Sequence, residues 1–219
     1  MINKENHLPN IVFMGPPGVG KGTVAALLAK NNNMIHLSTG AIFREEIASQ
    51  SELGKQLASY VNNGLYVPDE ITNETVKVKV LKLLAQNQNI ILDGYPRTLD
   101  QVHFLNSISG FKYEVVELTA PEDVIMERLN GRRFCPNCKA SFHIKFMPSK
   151  NGDYCDNCGT LLIMRKDDSI ENIKVRQQIY QEQTAPLLDY YREHHTLHVF
   201  DANTEPEIIE AQIVKELFK

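Results

Sequence analysis

The sequence predicts an α/β fold in which helices flank a five-stranded parallel sheet. Five short runs rich in β-branched residues recur along the 219 residues, at 10–15, 34–38, 89–94, 113–118 and 196–202. Each run is continuously apolar, as in strands that are buried on both faces of a parallel sheet. Helical patterns separate the runs, and this alternation from end to end is typical of a doubly wound core.

Apolar spacing and capping signals place the helices between these strands. Residues 22–30 and 70–86 carry apolar side chains at helical intervals, and residues 169–195 are helical with a break or kink at Pro186. The expected end signals are Asp69 as the N-cap before residue 70, Pro121 in the first turn of a helix over 121–130, Gly131 just beyond that helix, and Thr204 with Glu207 as a capping box for the last helix.

Two segments interrupt the strand–helix alternation. Residues 38–67, the first insert, hold two helical patterns and no strand, whereas residues 131–168, the second insert, hold all four cysteines with Gly, Pro and Asn throughout. Both are expected to project from one core, since a chain of this length fits one elaborated domain. The expected core comprises residues 1–37, which include a phosphate-binding loop, together with 68–130 and 169–219. The first nine residues are expected to be frayed.

Composition excludes several classes of protein. The net charge of −4 and the pI of about 6.0 argue against a nucleic-acid-binding protein that relies on general basicity. No stretch has the ~18 apolar residues of a membrane span, and the N-terminal residues lack an apolar signal-peptide region. We therefore expect no nucleic-acid or membrane partner, no signal peptide, and a cytoplasmic location with reduced thiols.

The phosphate-binding loop is Gly-Pro-Pro-Gly-Val-Gly-Lys-Gly-Thr at 15–23, which leaves a predicted strand and enters a predicted helix. Its glycines let successive N–H groups surround an oxyanion, and the helix adds the positive end of its dipole. Lys21 is expected to reach the β- and γ-phosphates. Gly22 stands where the general pattern has a hydroxyl for Mg²⁺, and Thr23 supplies that hydroxyl one residue later. The alternative is a Gly-rich turn that binds no ligand.

The four cysteines form two pairs, Cys135 with Cys138 and, after 16 intervening residues, Cys155 with Cys158. This is zinc-ribbon spacing, in which two tight knuckles present four thiolates to one tetrahedral ion. Four protein ligands leave no open coordination position, so the metal is expected to be structural. Two disulfides or four unused thiols are the alternatives, and iron fits the same set of four sulfurs.

Six sequence blocks, in the same order along the chain, resemble those of adenylate kinases and related nucleoside monophosphate kinases. The blocks are GPPGVGKGT (15–23), LSTGAIFR (37–44), GLYVPDE (64–70), LDGYPRTLDQ (92–101), ERLNGRR (127–133) and MRKDD (164–168). A lysine followed by Gly-Thr is what this family shows, so the departure from the general loop agrees with the resemblance. The resemblance implies a P-loop core in which the first insert binds AMP and the second is a zinc-stabilised lid.

The activity that the resemblance implies is reversible, Mg²⁺-dependent transfer of the terminal phosphoryl group of ATP to AMP, giving two ADP. It further implies a monomer that serves adenine-nucleotide homeostasis and salvage. The acceptor phosphate is already an anionic nucleophile at pH 7, so positioning and charge neutralisation are needed and a general base is not. The residues at the family's catalytic positions are Lys21, Arg97, Arg132, Arg165 and Arg176.

Nucleotide-binding residues are implied in the same way. The expected ATP-binding residues are Gly18, Val19, Gly20, Lys21, Gly22, Thr23, Arg128, Arg132, Phe142 and His143. The expected AMP-binding residues are Thr39, Gly40, Arg44, Gly64, Val67, Gly94, Arg97, Gln101, Arg165 and Arg176. Arg128 is expected to pack on the donor adenine, and His143 on its other face, with a structural role as the alternative for this histidine.

Carboxylates are expected at two points of this site. Asp93 ends the third predicted strand, where it would organise Mg²⁺ together with Thr23. Asp167 and Asp168 match a family pair that anchors the closing segment and orients its arginines. The structural alternative for Asp168 is an N-cap, because Glu171 would complete a capping box with it.

Acceptor choice is the last inference that the sequence supports. The resemblance implies AMP, because Thr39 sits where adenylate-specific members carry threonine and Gln101 matches the amide that reads adenine. Such groups can discriminate, since a wrong base would leave buried polar groups unpaired. Ala41 replaces the usual Asp of the family and removes a carboxylate near the acceptor phosphate. The alternatives are a kinase for another nucleoside monophosphate, one that uses GTP as donor, and a zinc-ribbon nucleic-acid-binding protein with a vestigial P-loop.

Overall fold

A sheet of five parallel strands runs through the protein, as the sequence predicts. The structure, a computed structural model, describes residues 8–218, so most of the segment expected to be frayed lies outside the described residues. The strands are β1 (Asn10–Met14), β2 (Ile35–Ser38), β3 (Ile90–Asp93), β4 (Tyr113–Thr119), β5 (Arg132–Phe134), β6 (Ser141–His143) and β7 (Leu197–Asp201). The large sheet has the order β2-β3-β1-β4-β7, with parallel pairing throughout, and β5 pairs with β6 in an antiparallel ribbon.

Helices cover both faces of the large sheet. They are α1 (Lys21–Asn31), α2 (Thr39–Ala48), α3 (Glu52–Val61), α4 (Asp69–Leu84), α5 (Leu99–Asn106), α6 (Glu122–Gly131), α7 (Ile170–Ile179), α8 (Leu187–Glu193) and α9 (Pro206–Leu217). A 3₁₀ turn, Lys166–Asp168, precedes α7, and a π-helical turn, Tyr180–Thr184, follows it. Pro186 ends this irregular stretch before α8, which confirms the predicted break. No helix in residues 8–218 combines the length and apolarity needed to cross a membrane.

The large sheet separates two apolar cores, which explains why its strands are continuously apolar. On β1, Ile11 and Phe13 face one core, and Val12 and Met14 face the other. Helices α1 and α9 cover the first core, whereas α4, α5 and α8 cover the second. Because β1 is central and buried on both faces, the loop that follows it is anchored at the middle of the sheet.

Each insert has a small apolar core of its own. In the first insert, α2 and α3 pack around Phe43, Leu57 and Val67. In the second insert, Phe142 packs with the buried Cys135 and Cys155. In residues 8–218 the second insert adds no side chain to the two cores beside the large sheet, whereas Ile42 of the first insert packs against one of them.

The expected N-cap at Asp69 is wrong, because this carboxylate binds other groups. Asp69 is the first residue of α4 and follows Pro68. Its Oδ2 accepts a hydrogen bond from Thr98 Oγ1 at 2.6 Å, and its Oδ1 accepts one from Gln101 Nε2 at 2.7 Å. Asp69 therefore joins α4 to the start of α5, a helix that the sequence analysis does not predict.

The capping box expected at Thr204 and Glu207 is wrong as well. The last helix begins at Pro206, with Glu205 in the cap position and no side-chain hydrogen bond at that end. Proline at the first helical position lacks one of the N–H groups that a cap would satisfy, and its fixed φ favours the helical start. The helix therefore begins on the proline signal and not on the capping pair.

The N-cap alternative for Asp168 is wrong too. Ser169 caps α7 by accepting a hydrogen bond from the Asn172 backbone N–H at 3.2 Å. Asp168 lies one residue earlier, in the 3₁₀ turn, and its carboxylate binds arginines instead. A capping box with Glu171 is therefore not formed.

Candidate active site

The phosphate-binding loop joins β1 to α1 at the carboxyl end of the large sheet. Gly18 has a φ of +89°, and a Cβ there would lie 2.5 Å from the Leu129 side chain, so only glycine fits. Lys21 folds back over the loop, its Nζ donating to the carbonyl oxygens of Gly15 at 2.6 Å and Pro16 at 3.0 Å. This places an ammonium group directly at the mouth of the loop.

The environment of Lys21 disfavours its positive charge. Burial lowers its pKa to about 8, Asp93 partly opposes this shift, and the guanidinium groups of Arg97, Arg176 and Arg132 add to it. A polyphosphate bound here would raise the pKa of Lys21 again, because it places negative charge beside the ammonium group. The loop therefore has the electrostatics of an anion site.

Asp93, at the end of β3, lies beside the start of α1. Its Oδ2 is 3.4 Å from His36 Nε2 and would lie 3.4 Å from a Cβ built at Gly22. Burial would raise the pKa of this carboxyl, but the hydrogen bond with His36 and the charges of Lys21, His36 and Arg97 lower it overall. Asp93 is therefore an ionised oxygen donor next to Gly22 and Thr23.

Basic side chains outnumber carboxylates around this loop. Arg176 Nη1 donates to Asp168 Oδ1 at 2.9 Å and lies 3.2 Å from Asp167 Oδ2. Arg132 binds the same Asp168 carboxylate through two nitrogens. Six cationic groups, Lys21, Arg44, Arg97, Arg132, Arg165 and Arg176, are thus set against the three carboxylates of Asp93, Asp167 and Asp168.

Arg165 carries a buried nitrogen that lacks a partner in residues 8–218. Its guanidinium carbon lies 4.9 Å from the centroid of the Phe134 ring, and its Nη2 is 3.4 Å from Ser141 Oγ. That buried nitrogen is the Nε of Arg165. Burial, together with Arg132 and Arg44, lowers its pKa to about 9. A buried donor of this kind has an unmet need for an acceptor.

Two cavities open at this cluster. The larger, of about 1540 Å³, runs from the phosphate-binding loop to the second insert. All ten expected ATP-binding residues line it: Gly18, Val19, Gly20, Lys21, Gly22, Thr23, Arg128, Arg132, Phe142 and His143. The structure therefore brings together residues that are up to 125 positions apart in the chain, from residue 18 to residue 143.

The smaller cavity, of about 80 Å³, lies between the first insert and the core. Nine of the ten expected AMP-binding residues line it: Thr39, Gly40, Arg44, Gly64, Val67, Gly94, Arg97, Gln101 and Arg176. The tenth, Arg165, lines the larger cavity instead. The sequence analysis did not select Tyr66 and Phe43, which also line the smaller cavity.

Gly94 and Arg97 form the floor of the smaller cavity. Gly94 has a φ of +80°, and a Cβ there would lie 2.8 Å from Arg97 Nη2 and 2.9 Å from Thr39 Oγ1. Its carbonyl oxygen accepts hydrogen bonds from Arg97 Nε at 2.7 Å and Thr39 Oγ1 at 2.9 Å. Because Gly94 has no side chain, Arg97 and the Thr39 hydroxyl can both approach its carbonyl oxygen.

The Gln101 amide is buried and held in one orientation. Its Oε1 accepts a hydrogen bond from the Arg97 backbone N–H at 2.7 Å, and its Nε2 donates to Asp69 Oδ1 at 2.7 Å. An amide oxygen has two lone pairs and an amide nitrogen two hydrogens, so each atom keeps one position for a ligand. Asp69, which sequence reasoning treated as a cap, therefore fixes this amide.

Arg128 and His143 both line the larger cavity. Arg128 donates through Nη1 to the carbonyl oxygen of Val19 and through Nη2 to that of Ala202, each at 2.7 Å. His143 accepts hydrogen bonds at Nδ1 from the backbone N–H groups of Lys145 and Phe146, so its Nε2 carries the proton and faces Glu127 O at 3.3 Å. Both nitrogens of this histidine are therefore engaged in structural contacts.

The cysteine cluster lies on the two knuckles of the second insert. All four Sγ atoms lie within 4.8 Å of one another, and the Cys135–Cys158 and Cys138–Cys155 pairs are 3.4 Å apart. Four sulfurs around a tetrahedral zinc ion lie about 3.8 Å apart, given Zn–S bonds of about 2.3 Å. The four thiols, none of them in a disulfide, therefore fit one metal ion.

Comparisons with known proteins agree with this site. The family model described as adenylate kinase matches residues 13–196. An adenylate kinase from Mycoplasma mobile is 43% identical over 212 residues, which are 95% of this chain and 98% of that protein. One from Mycoplasmopsis pulmonis is 46% identical, covering 96% of this chain and 97% of its own. One from Clostridium perfringens is 40% identical, with 95% and 94% covered.

These matches extend over the core and both inserts and include every block quoted from the sequence. The phosphate-binding loop, the four-cysteine cluster and most of the α/β core of this chain lie within the range that the family model matches. The chain belongs to the adenylate kinase family and is a nucleoside monophosphate kinase, a phosphotransferase.

Proposed function

We propose that this protein transfers the terminal phosphoryl group of ATP to AMP, reversibly and with Mg²⁺, giving two ADP. The observation that carries the proposal is that the two cavities share part of their lining. Six residues line both of them: Gly40, Arg44, Tyr66, Gly94, Arg97 and Arg176. A donor in the larger cavity and an acceptor in the smaller one would thus meet at a wall that holds three arginines.

Positioning and charge neutralisation account for the reaction in this proposal. Lys21 and the guanidinium groups would hold the oxygens of both phosphates and stabilise the charge of the transferring group. Within residues 8–218 the one carboxylate that lines the smaller cavity is Asp167, and it is paired with Arg176. This arrangement supports a mechanism without a general base, since the acceptor phosphate is already ionised at neutral pH.

Thr23 and Asp93 are the residues that would hold Mg²⁺. Their hydroxyl and carboxylate oxygens suit a hard cation, and the lowered pKa of Asp93 keeps this carboxylate ionised. When bound with ATP, Mg²⁺ neutralises charge on the phosphate oxygens.

The first insert is proposed as the AMP-binding segment and the second as a lid. Each has its own small core, which supports movement of each as a unit, and in the first insert Ile42 is the side chain that also packs against a core beside the large sheet. Closure of both segments would exclude water from the site and so prevent the hydrolysis of ATP. Arg165 and Arg176 would then meet the phosphates from the side of the lid.

Zinc is proposed to stabilise the lid. Phe142, Cys135 and Cys155 form too small a core to hold this segment on their own, so the metal would supply much of its folding free energy. The unbridged thiols agree with reduced cysteines in the cytoplasm, the location that we propose. Iron remains a candidate for the same four sulfurs, and metal analysis of the purified protein decides between the two.

Adenine is proposed as the acceptor base on the basis of Thr39 and Gln101. The buried amide of Gln101 offers one free donor and one free acceptor, the pattern that the edge of adenine complements. A base with a different pattern would leave buried polar groups unpaired. A monomer that serves adenine-nucleotide homeostasis and salvage completes the proposal.

A coupled assay tests the acceptor directly. Initial rates are measured with MgATP and each of AMP, CMP, UMP and GMP, on protein whose zinc and iron contents are known, and then with GTP as donor. We expect kcat/KM to be at least tenfold higher for AMP than for any other acceptor. A tenfold preference for another monophosphate would replace AMP and leave the family assignment intact.

A further inference from the structure

Tyr66, in the first insert, lies at the wall that the two cavities share. Of the six residues that line both cavities, it is the one aromatic, beside three arginines and two glycines. Its neighbours Gly64 and Val67 are expected AMP-binding residues, whereas the role of Tyr66 itself is not assigned by the family resemblance above.

The ring of Tyr66 supports the Arg97 side chain. The guanidinium carbon of Arg97 lies 4.8 Å from the centroid of this ring, within the range of a cation–π contact. Arg97 Nε also donates to the carbonyl oxygen of Gly94. The guanidinium group is therefore held at one edge by this hydrogen bond and on one face by the Tyr66 ring. Its two terminal nitrogens make no hydrogen bond to any residue in 8–218 and are left for a ligand.

The hydroxyl of Tyr66 is linked to the backbone of Arg97 through Thr184. Tyr66 Oη lies 2.7 Å from Thr184 Oγ1, and Thr184 Oγ1 donates to the carbonyl oxygen of Arg97 at 2.9 Å. A threonine hydroxyl has one proton, so Tyr66 must be the donor in the first of these bonds. Thr184 is buried, which makes both bonds costly to lose.

We propose that Tyr66 is a positioning residue that orients Arg97 toward the acceptor phosphate. The proposal rests on the proposed role of Arg97 in binding that phosphate. Tyr66 comes from the first insert, whereas Arg97 and Thr184 belong to the core. The orientation of Arg97 is therefore complete only while the first insert lies against the core, which links acceptor binding to the placement of that segment.

Three variants test the proposal: Tyr66→Leu, Tyr66→Phe and Thr184→Val. Tyr66→Leu removes ring and hydroxyl, and we expect the KM for the acceptor monophosphate to rise roughly tenfold, the combined effect of a cation–π contact and a hydrogen bond. Tyr66→Phe keeps the ring, and a rise of about threefold is expected. The KM for ATP should change less than about twofold, because the phosphate-binding loop is untouched.

The chain of hydrogen bonds from Tyr66 through Thr184 to the Arg97 carbonyl oxygen gives a second readout. Because Tyr66→Phe and Thr184→Val each break the same chain of bonds, the double variant should raise the acceptor KM no further than the larger single effect. Val78→Ala is the control, because this side chain on α4 is exposed and lines neither cavity. Its kinetic constants should equal those of the parent protein.

The outcomes separate this proposal from the choice of acceptor. Each variant is assayed with the monophosphate that the parent protein uses best, so a preference for a base other than adenine leaves the test valid. Parental acceptor KM in Tyr66→Leu overturns the proposal, as does an equal rise in the KM for ATP. If Tyr66→Leu fails to fold, the same criteria apply to Tyr66→Phe, with a melting curve to establish its fold.

Discussion

Arg132 and Asp168 form a two-point ion pair, in which Arg132 Nε donates to Asp168 Oδ2 at 2.7 Å and Nη2 donates to Oδ1. The Asp168 side chain is fully buried, and its Oδ1 also accepts a hydrogen bond from Arg176. One carboxylate thus aligns Arg132, at the start of the second insert, and Arg176, in the core helix α7.

Asp168→Asn should lower both stability and turnover. Replacing the buried carboxylate leaves Arg132 without its counter-ion and Arg176 with Asp167 alone, so we expect the free energy of unfolding to fall by about 3 kcal/mol. Turnover should fall at least tenfold, because Arg132 loses both of the bonds that orient it and Arg176 loses one. Asp189→Asn, which breaks the exposed pair with Arg192, should change stability by less than about 1 kcal/mol. Equal effects of the two variants in denaturant titrations would contradict this role of Asp168.

Lys21→Met should abolish most activity and leave the fold intact. The ammonium group is buried among cations, so methionine removes unfavourable charge while keeping most of the side-chain volume. We expect kcat/KM to fall at least a hundredfold, with a melting temperature no lower than that of the parent protein. Near-normal turnover would show that this lysine does not act on the transferring phosphate.

Affinity for ATP should weaken above pH 8. The pKa of Lys21 is about 8 in the free protein, and the bound polyphosphate should raise it, so binding takes up a proton between these two values. The Kd for ATP should therefore be nearly constant up to pH 7 and rise by up to about fivefold from pH 8 to pH 9. Titrations at pH 7, 8 and 9 check this, and a constant Kd would argue against the lowered pKa.

Removal of the metal should affect stability more than catalysis. Chelation would take away the ion that we propose for the four cysteines of the second insert, so the melting temperature should fall by about 5 °C or more. Activity measured well below that temperature should fall proportionately less, because the four cysteines leave no open position for a substrate. Loss of activity with unchanged melting would show that the metal is not structural.

The core and the phosphate-binding loop were predictable because their signals are local. A strand buried on both faces is continuously apolar, and the glycines of residues 15–23 mark the turn between β1 and α1. The sequence did not predict α5, because its eight residues are too few to show apolar side chains at clear helical intervals.

Side chains whose partners are distant in sequence could not be predicted. Asp69 has the residue type and position of an N-cap, but α5 offers it two donors about 30 residues away in sequence. Tyr66 meets Thr184 across 118 positions, so no spacing rule could relate them. A short polar side chain takes whichever partners the tertiary structure provides, and the sequence alone does not place those partners.

Because cations are in excess in the cleft, a bound nucleotide should contribute to the stability of the folded protein. Without it, six cationic groups share three carboxylates, and mutual repulsion weakens the folded state. A ligand at a hundred times its Kd adds about 2.7 kcal/mol to the stability of the protein that binds it. Resistance to heat and proteolysis should therefore follow the nucleotide supply, so that a fall in nucleotide concentration also shortens the lifetime of this kinase.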